Sequence, residues 1–277
     1  MGKALRCQAH RDIPCLMLKQ KIVTLLTDFG TKDSYVPQMK GVLLSLNPNI
    51  KIIDISHQVA PQNILEGAFL LKTTFSYFPK GTIHVAVVDP GVGTSRKALL
   101  IETENYFFVG PDNGIFSPTL RTETIKNIIE IKNSEYFLKN VSITFHGRDI
   151  FAPVAGHLAN GIKPQQFGPT RNSYVPLSFP PLLKSSENIE AQVIYTDNFG
   201  NLITNIRKTD LDLKKKYEIA VGQEKILGLS RTYFDKNKGE CVALIGSSGF
   251  LEIAIVEGSA YEKLTPTSKI VVTVIPA

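Results

Sequence analysis

Three short apolar runs, rich in β-branched residues, are each cut off by a loop and separated by stretches with helical spacing. Ile22–Thr27 (IVTLLT) stops at Asp28-Phe29-Gly30, Lys51–Ile55 is the second run, and Thr82–Val88 stops at Asp89-Pro90-Gly91. Between the first two, Val36, Met39, Val42 with Leu43, and Leu46 recur along one helix face up to the break Asn47-Pro48-Asn49. Ile64, Ala68 and Leu71 do the same within Gln62–Phe75. Strands this apolar are buried on both faces, and their alternation with helices builds βαβ units around a parallel sheet. In open sheets of that kind ligands sit beyond the carboxyl ends of the strands. Two of these strands deliver a carboxylate there, Asp28 and Asp89.

Farther on the pattern changes. Ala98–Thr103 and Tyr106–Val109 read as a hairpin leading into the turn Gly110-Pro111-Asp112-Asn113-Gly114, and Phe151–Leu158 reads as a helix. From Phe167 to Ser186 the chain is rich in Pro, Ser and Asn without a period, the mark of an extended linker. Ala191–Thr196, Tyr217–Val221, Cys241–Ile245, Leu251–Val256 and Lys269–Ile275 then read as short strands divided by turns. The expected organisation is a disordered basic extension (1–20), an N-terminal α/β domain with a largely parallel sheet (21–170), a linker (171–188) and a smaller C-terminal all-β domain (189–277).

The net charge of +6 sits mostly at the start, where residues 1–21 hold five basic side chains against one acidic. The remaining chain carries only +2, which removes the composition argument for a nucleic-acid partner. Residues 1–20 hold no apolar core of secretory length, and an alternative start at Met17 would leave most of them out. No run of about 18 apolar residues is present, so no membrane-spanning helix is expected. Three cysteines without a CxxC pair argue against a disulfide framework and for a reducing cytoplasm. Cys7 and His10 have ligand-like spacing but no second pair, and no metal site is expected.

Several motifs admit two readings. Gly91-Val92-Gly93 suggests a nucleotide loop, but Arg96 stands where a third glycine would be needed, so a dinucleotide oxidoreductase lacks its fingerprint. His146, in Thr144-Phe145-His146-Gly147-Arg148-Asp149, is either a surface or capping histidine or a functional one. Asp197-Asn198-Phe199-Gly200-Asn201 is either a tight turn or an aromatic flanked by amides, suited to a flat heterocycle. Gly246-Ser247-Ser248-Gly249 is a plain turn or a set of donors for a carboxylate.

In combination, TDFG (27–30), VVDPGVGT (87–94) with Arg96, GPDNG (110–114), FHGRDIFAP (145–153), DNFGNLITNI (197–206) and GSSGFLEIA (246–254) occur in one order. The series resembles the S-adenosylmethionine hydroxide adenosyltransferases, relatives of fluorinating and chlorinating enzymes, from about Ile22 to the C-terminus. The resemblance implies a barrel-like C-terminal domain and a homotrimer with active sites between one subunit's N-terminal domain and a neighbour's C-terminal domain. It implies hydrolysis of S-adenosyl-L-methionine to adenosine and L-methionine, with no cofactor. It places a catalytic trio on Asp89, Arg96 and His146 and a ribose-binding carboxylate on Asp28. Asp197, Phe199 and Asn201 would then contact methionine and adenine, and Ser247 the methionine moiety. Halogenating relatives carry an arginine where this chain has Ser248, and a tyrosine at the Asp89 position. The intact trio therefore favours hydroxide over a halide nucleophile, and catalysis over a non-catalytic adenosine sensor. Which member of the trio takes the water's proton is left open by the sequence.

Overall fold

A computed structural model describes residues 20–186, 188–264 and 269–275; the expected N-terminal extension falls almost wholly outside them. The first half of the chain supplies β1 (Ile22–Thr27), α1 (Tyr35–Leu46), β2 (Lys51–Ser56), α2 (Ile64–Thr74), β3 (Ile83–Val87), β4 (Ala98–Thr103), β5 (Phe107–Pro111), α3 (Ser117–Leu120), β6 (Ile125–Glu130) and α4 (Ala152–Ala159). The strands form one sheet in the order β2-β1-β3-β5-β4-β6. β2, β1, β3 and β5 run parallel, while β4 is antiparallel to both its neighbours. β1 and β3 are adjacent interior strands and are buried almost throughout, as their uninterrupted apolar sequence requires. Val36, Met39 and Leu43 form the buried face of α1. α2 begins where the Asn63 side chain accepts the Glu66 backbone N–H, so one unpaired donor of the first turn is satisfied. His84, wholly buried in β3 and bonded to Thr24 Oγ1 at 2.8 Å, is a core residue whose pKa burial depresses to about 3.

The second half contributes β7 (Leu183–Lys184), β8 (Asn188–Thr196), β9 (Leu202–Arg207), β10 (Lys216–Val221), β11 (Glu224–Leu227), β12 (Cys241–Ile245), β13 (Phe250–Ile255), α5 (Ala260–Leu264) and β14 (Lys269–Ile275). They follow the path β11-β10-β14-β8-β9-β13-β12, antiparallel at every pairing, with β7 against β8. A bridge between Ser230 and Leu244 brings the chain beyond β11 onto β12, so the two ends of the path meet in a barrel-like wrap.

Both sheet classes match the sequence reading. β6, β7, β9 and β11 and the short helices α3 and α5 were not expected; β6 is a partly solvated edge strand, and β9 carries Thr204 and Asn205 inside its run. A π-helical turn, Gly147–Phe151, precedes α4. The stretch expected as a linker is tied down: Arg171 pairs with Glu130 at 2.8 Å and the Val175 N–H donates to Asp112 Oδ1 at 2.7 Å. Phe69 of α2 packs against Phe179, Tyr195 and Phe250, joining the two halves through an aromatic cluster.

Candidate active site

Asp28 and Asp89 leave the carboxyl ends of adjacent strands and line one open hollow of about 410 Å³, with Phe29, Tyr35, Gln62, Pro90 and Val92. Asp28 Oδ2 accepts the backbone N–H of Gln62 at 2.8 Å, and among the described residues its other oxygen has no hydrogen-bond partner. Gln62 holds a left-handed φ of 66°, which turns its N–H back onto the carboxylate. Behind the loop, His57 is nearly buried. Its ring contacts Thr27 Oγ1 at 2.8 Å, its carbonyl accepts the Gly30 N–H at 2.7 Å, and Thr27 Oγ1 accepts the Phe29 N–H. The loop after β1 is thus fixed before any ligand arrives.

The loop after β3 carries Asp89 and folds back so that Arg96 meets it. Arg96 Nε lies 2.9 and 3.0 Å from the two Asp89 oxygens, and Nη2 closes the fork on Oδ2. The same Nη2 lies 2.8 Å from His146 Nδ1. Fifty residues separate Arg96 and His146, and the close approach of two loops joins them. Gly93 has φ +77°, and a Cβ there would stand 2.5 Å from the Ile143 carbonyl oxygen. Only glycine allows that crossing. Asn113, from the turn after β5, donates to the Val88 carbonyl at 2.7 Å and fixes the residue before Asp89.

His146 opens the π-helical turn. Within it Asp149, fully buried, accepts from Arg148 Nε at 2.6 Å and from the Ser142 N–H at 2.7 Å. Burial lowers the His146 pKa first, and the Arg96 charge lowers it further; Asp89 and Asp149 oppose both. A guanidinium has hydrogens to give and no lone pair to offer, so His146 Nδ1 accepts and the ring's proton sits on Nε2. The trio is therefore a carboxylate, a guanidinium and a neutral imidazole whose remaining N–H is a donor.

The C-terminal residues form a second group. Asp197 Oδ1 accepts the N–H groups of Phe199 and Asn201 at 2.9 Å each, and Oδ2 accepts Asn201 Nδ2 at 2.9 Å. The turn reading of this motif is thereby realised, and it has a consequence: Phe199 projects with 75% of its surface exposed. Ser247 is exposed on the turn between β12 and β13. Near both turns, Glu252 is buried and accepts Tyr233 Oη at 2.5 Å. Within one chain, neither Asp197, Phe199, Asn201 nor Ser247 lines the hollow of Asp28 and Asp89. Sequence reasoning assigned no part to Gln62, Tyr35, His57 or Asp149; for Asp149 the signal was its place inside the quoted FHGRDIFAP stretch.

Residues 23–168 match the family model described as the SAM hydroxide adenosyltransferase N-terminal domain, and residues 191–272 match the corresponding C-terminal domain. A protein of Methanocaldococcus jannaschii named (R)-S-adenosyl-L-methionine hydrolase is 41% identical over 246 residues, covering 84% of this chain and 88% of that protein. A fluorinase of an Actinoplanes species is 25% identical over 268 residues, covering 84% of this chain and 90% of that one. The crystal structure of an uncharacterized conserved protein from Thermotoga maritima superposes with a TM-score of 0.84 at 37% identity, covering 91% of this chain and 99% of that chain.

Proposed function

The chain belongs to the SAM hydroxide adenosyltransferase family, and from that premise we propose that it hydrolyses S-adenosyl-L-methionine to adenosine and L-methionine. The observation that carries the reading is that Asp89, which shares the strand-end hollow with Asp28, is held by Arg96, which also contacts His146. In the reaction the C5′–S bond breaks with its electron pair passing to sulfur, a C5′–O bond forms, and water loses one proton. The leaving group is a neutral thioether, so no acid, metal or organic cofactor is required for its departure. The chemistry asks only for an oriented oxygen nucleophile in line with the bond.

The geometry supports the following division of parts. His146 Nδ1 is committed to Arg96 and Nε2 already holds a proton, so the imidazole donates to the nucleophile's oxygen. Asp89 Oδ1 keeps acceptor capacity beside the single Nε contact and takes the water's proton. Arg96 holds both partners and its charge favours hydroxide character. Asp28, with one free oxygen, accepts from the ribose hydroxyls. A fixed carboxylate beside the nucleophile opposes a halide, which separates this site from a halogenase. Phe199, Asp197, Asn201 and Ser247 serve the adenine and methionine of a neighbouring subunit's site in a homotrimer. The exposed Phe199 ring and the incompleteness of the hollow within one chain support that placement. The sparse cysteines support a cytoplasmic setting.

The test is incubation of the purified protein with each sulfonium epimer of the substrate, the (R) form first because the relatives' names specify it. Adenosine and methionine should appear in equal amounts, and oxygen-18 water should label the 5′-hydroxyl of adenosine. Failure to form adenosine, or a 5′-halogenated nucleoside in the presence of chloride or fluoride, would overturn the reading.

A further inference from the structure

A second hollow, of about 590 Å³, lies between the two halves of the chain and shares no lining residue with the one at Asp28 and Asp89. Four cations converge on it: Lys72 from the last turn of α2, Arg121 beyond α3, and Arg207 and Lys208 at the end of β9. Some cations elsewhere are paired with carboxylates, as in Lys40–Asp54, Arg171–Glu130 and Lys184–Asp210. Among the described residues, none of these four has a carboxylate within ion-pairing distance. Lys72 Nζ is bonded to Thr122 Oγ1 at 2.6 Å, and Arg121 Nη2 donates to the Leu177 carbonyl and Ser178 Oγ. Both keep donors to spare. The Lys72 pKa is lowered by burial first and then by the Arg207 charge, with Glu123 opposing, while Asp210 lies near enough to Arg207 for their charges to interact.

Thr209 and Ser248 add hydroxyls around the cations, and Pro118, Phe179 and Phe250 form apolar walls. Four converging like charges repel one another unless an anion sits among them. Arginine forks and lysine point charges together with hydroxyls make the donor set that phosphate oxygens take. The volume exceeds what one inorganic ion fills and falls in the range of small-molecule sites. We propose that this hollow, bordered by the turn that carries Ser247, binds a small organic molecule carrying two or more adjacent phosphate charges, at a place distinct from the hollow of Asp28 and Asp89.

Isothermal titration of the full chain at low ionic strength with pyrophosphate and with UTP tests this directly. Both should bind saturably, UTP the tighter because its ring can use the apolar walls. Raising the salt should weaken both. Arg207→Gln and Lys208→Gln, both at exposed positions, should each weaken pyrophosphate about 10- to 100-fold, the worth of a charged hydrogen bond, with unchanged unfolding midpoints in its absence. Saturating adenosine should leave the pyrophosphate affinity unchanged. Lack of saturable binding, undiminished binding in both variants, or displacement of pyrophosphate by adenosine would overturn the proposal. UTP binding no tighter than pyrophosphate would refute an organic ligand. The readout is heat of binding, so its failure is independent of whether adenosine is formed from S-adenosylmethionine.

Discussion

At the scale of single residues, the neutral state of His146 makes a specific demand on pH. Protonating Nδ1 would set an N–H against the Arg96 guanidinium and break the 2.8 Å contact. The folded-state pKa is lowered, so the neutral, working form persists as the pH falls through 6.5 and is lost only below it. The acid limb of kcat should therefore lie below pH 6.5, and His146→Asn, whose carbonyl can still accept from Arg96, should abolish that limb; a limb unchanged in the variant would remove His146 from the ionisation. Arg96→Ala and His146→Ala should each slow adenosine formation by roughly 10²–10⁴-fold, the range for a positioned proton-transfer group. KM should move little, because the lost contacts act on water and not on the substrate. The double variant should fall close to the poorer single one, since the residues act as a unit. Rates near normal in both single variants would dismiss the trio.

Among the elements, the two loops that meet at Gly93 and Ile143 decide whether the trio exists. Gly93→Ala puts a side chain where φ is +77° and the Ile143 carbonyl is 2.5 Å away. It should cost about 1–3 kcal/mol of stability and should lower kcat further than that, because Arg96 and His146 separate. Gly91→Ala has no such φ and meets side-chain atoms alone, Arg96 Cγ at 3.2 Å and Thr94 Oγ1 at 3.5 Å, so it should be the milder change in urea unfolding and in activity. Equal effects of the two would show that the crossing is not tight. Much of this architecture was legible. The central strands announced themselves because a parallel sheet buries both faces of Val23–Leu26 and Ile83–Val87. β6 and β9 were not, since Lys126, Asn127 and Asn205 interrupt the apolar signal in positions that face solvent or bond to other backbone. The π-helical turn leaves no periodic trace in five residues. Asp28 and Asp89 could be named from strand ends alone. His146 could not, because no spacing rule links it to Arg96; only the series of motifs did, and the contact itself depends on topology.

For the whole molecule, the separation of the two residue groups predicts complementation. Asp89→Ala damages the hollow on the N-terminal sheet, and Phe199→Ala removes an exposed ring from the C-terminal turn without touching the core. If sites are shared between subunits, co-refolded mixtures of the two weakened chains should recover activity, because some interfaces in a mixed oligomer escape both changes. Mixed assemblies, verified by tag pull-down, that stay as weak as the parents would assign the pocket to one chain. The division has a further meaning for how such a protein can change over generations. The groups expected to act on the bond hang, with the ribose-binding Asp28, from a largely parallel sheet, whereas those expected to contact adenine and methionine stand on turns of an antiparallel one, each with its own core. Altering the turns to admit a different sulfonium compound leaves the bond-making loops unstrained, and retuning the nucleophile leaves the recognition turns intact. The chain can therefore explore new substrates and new reactions by independent steps.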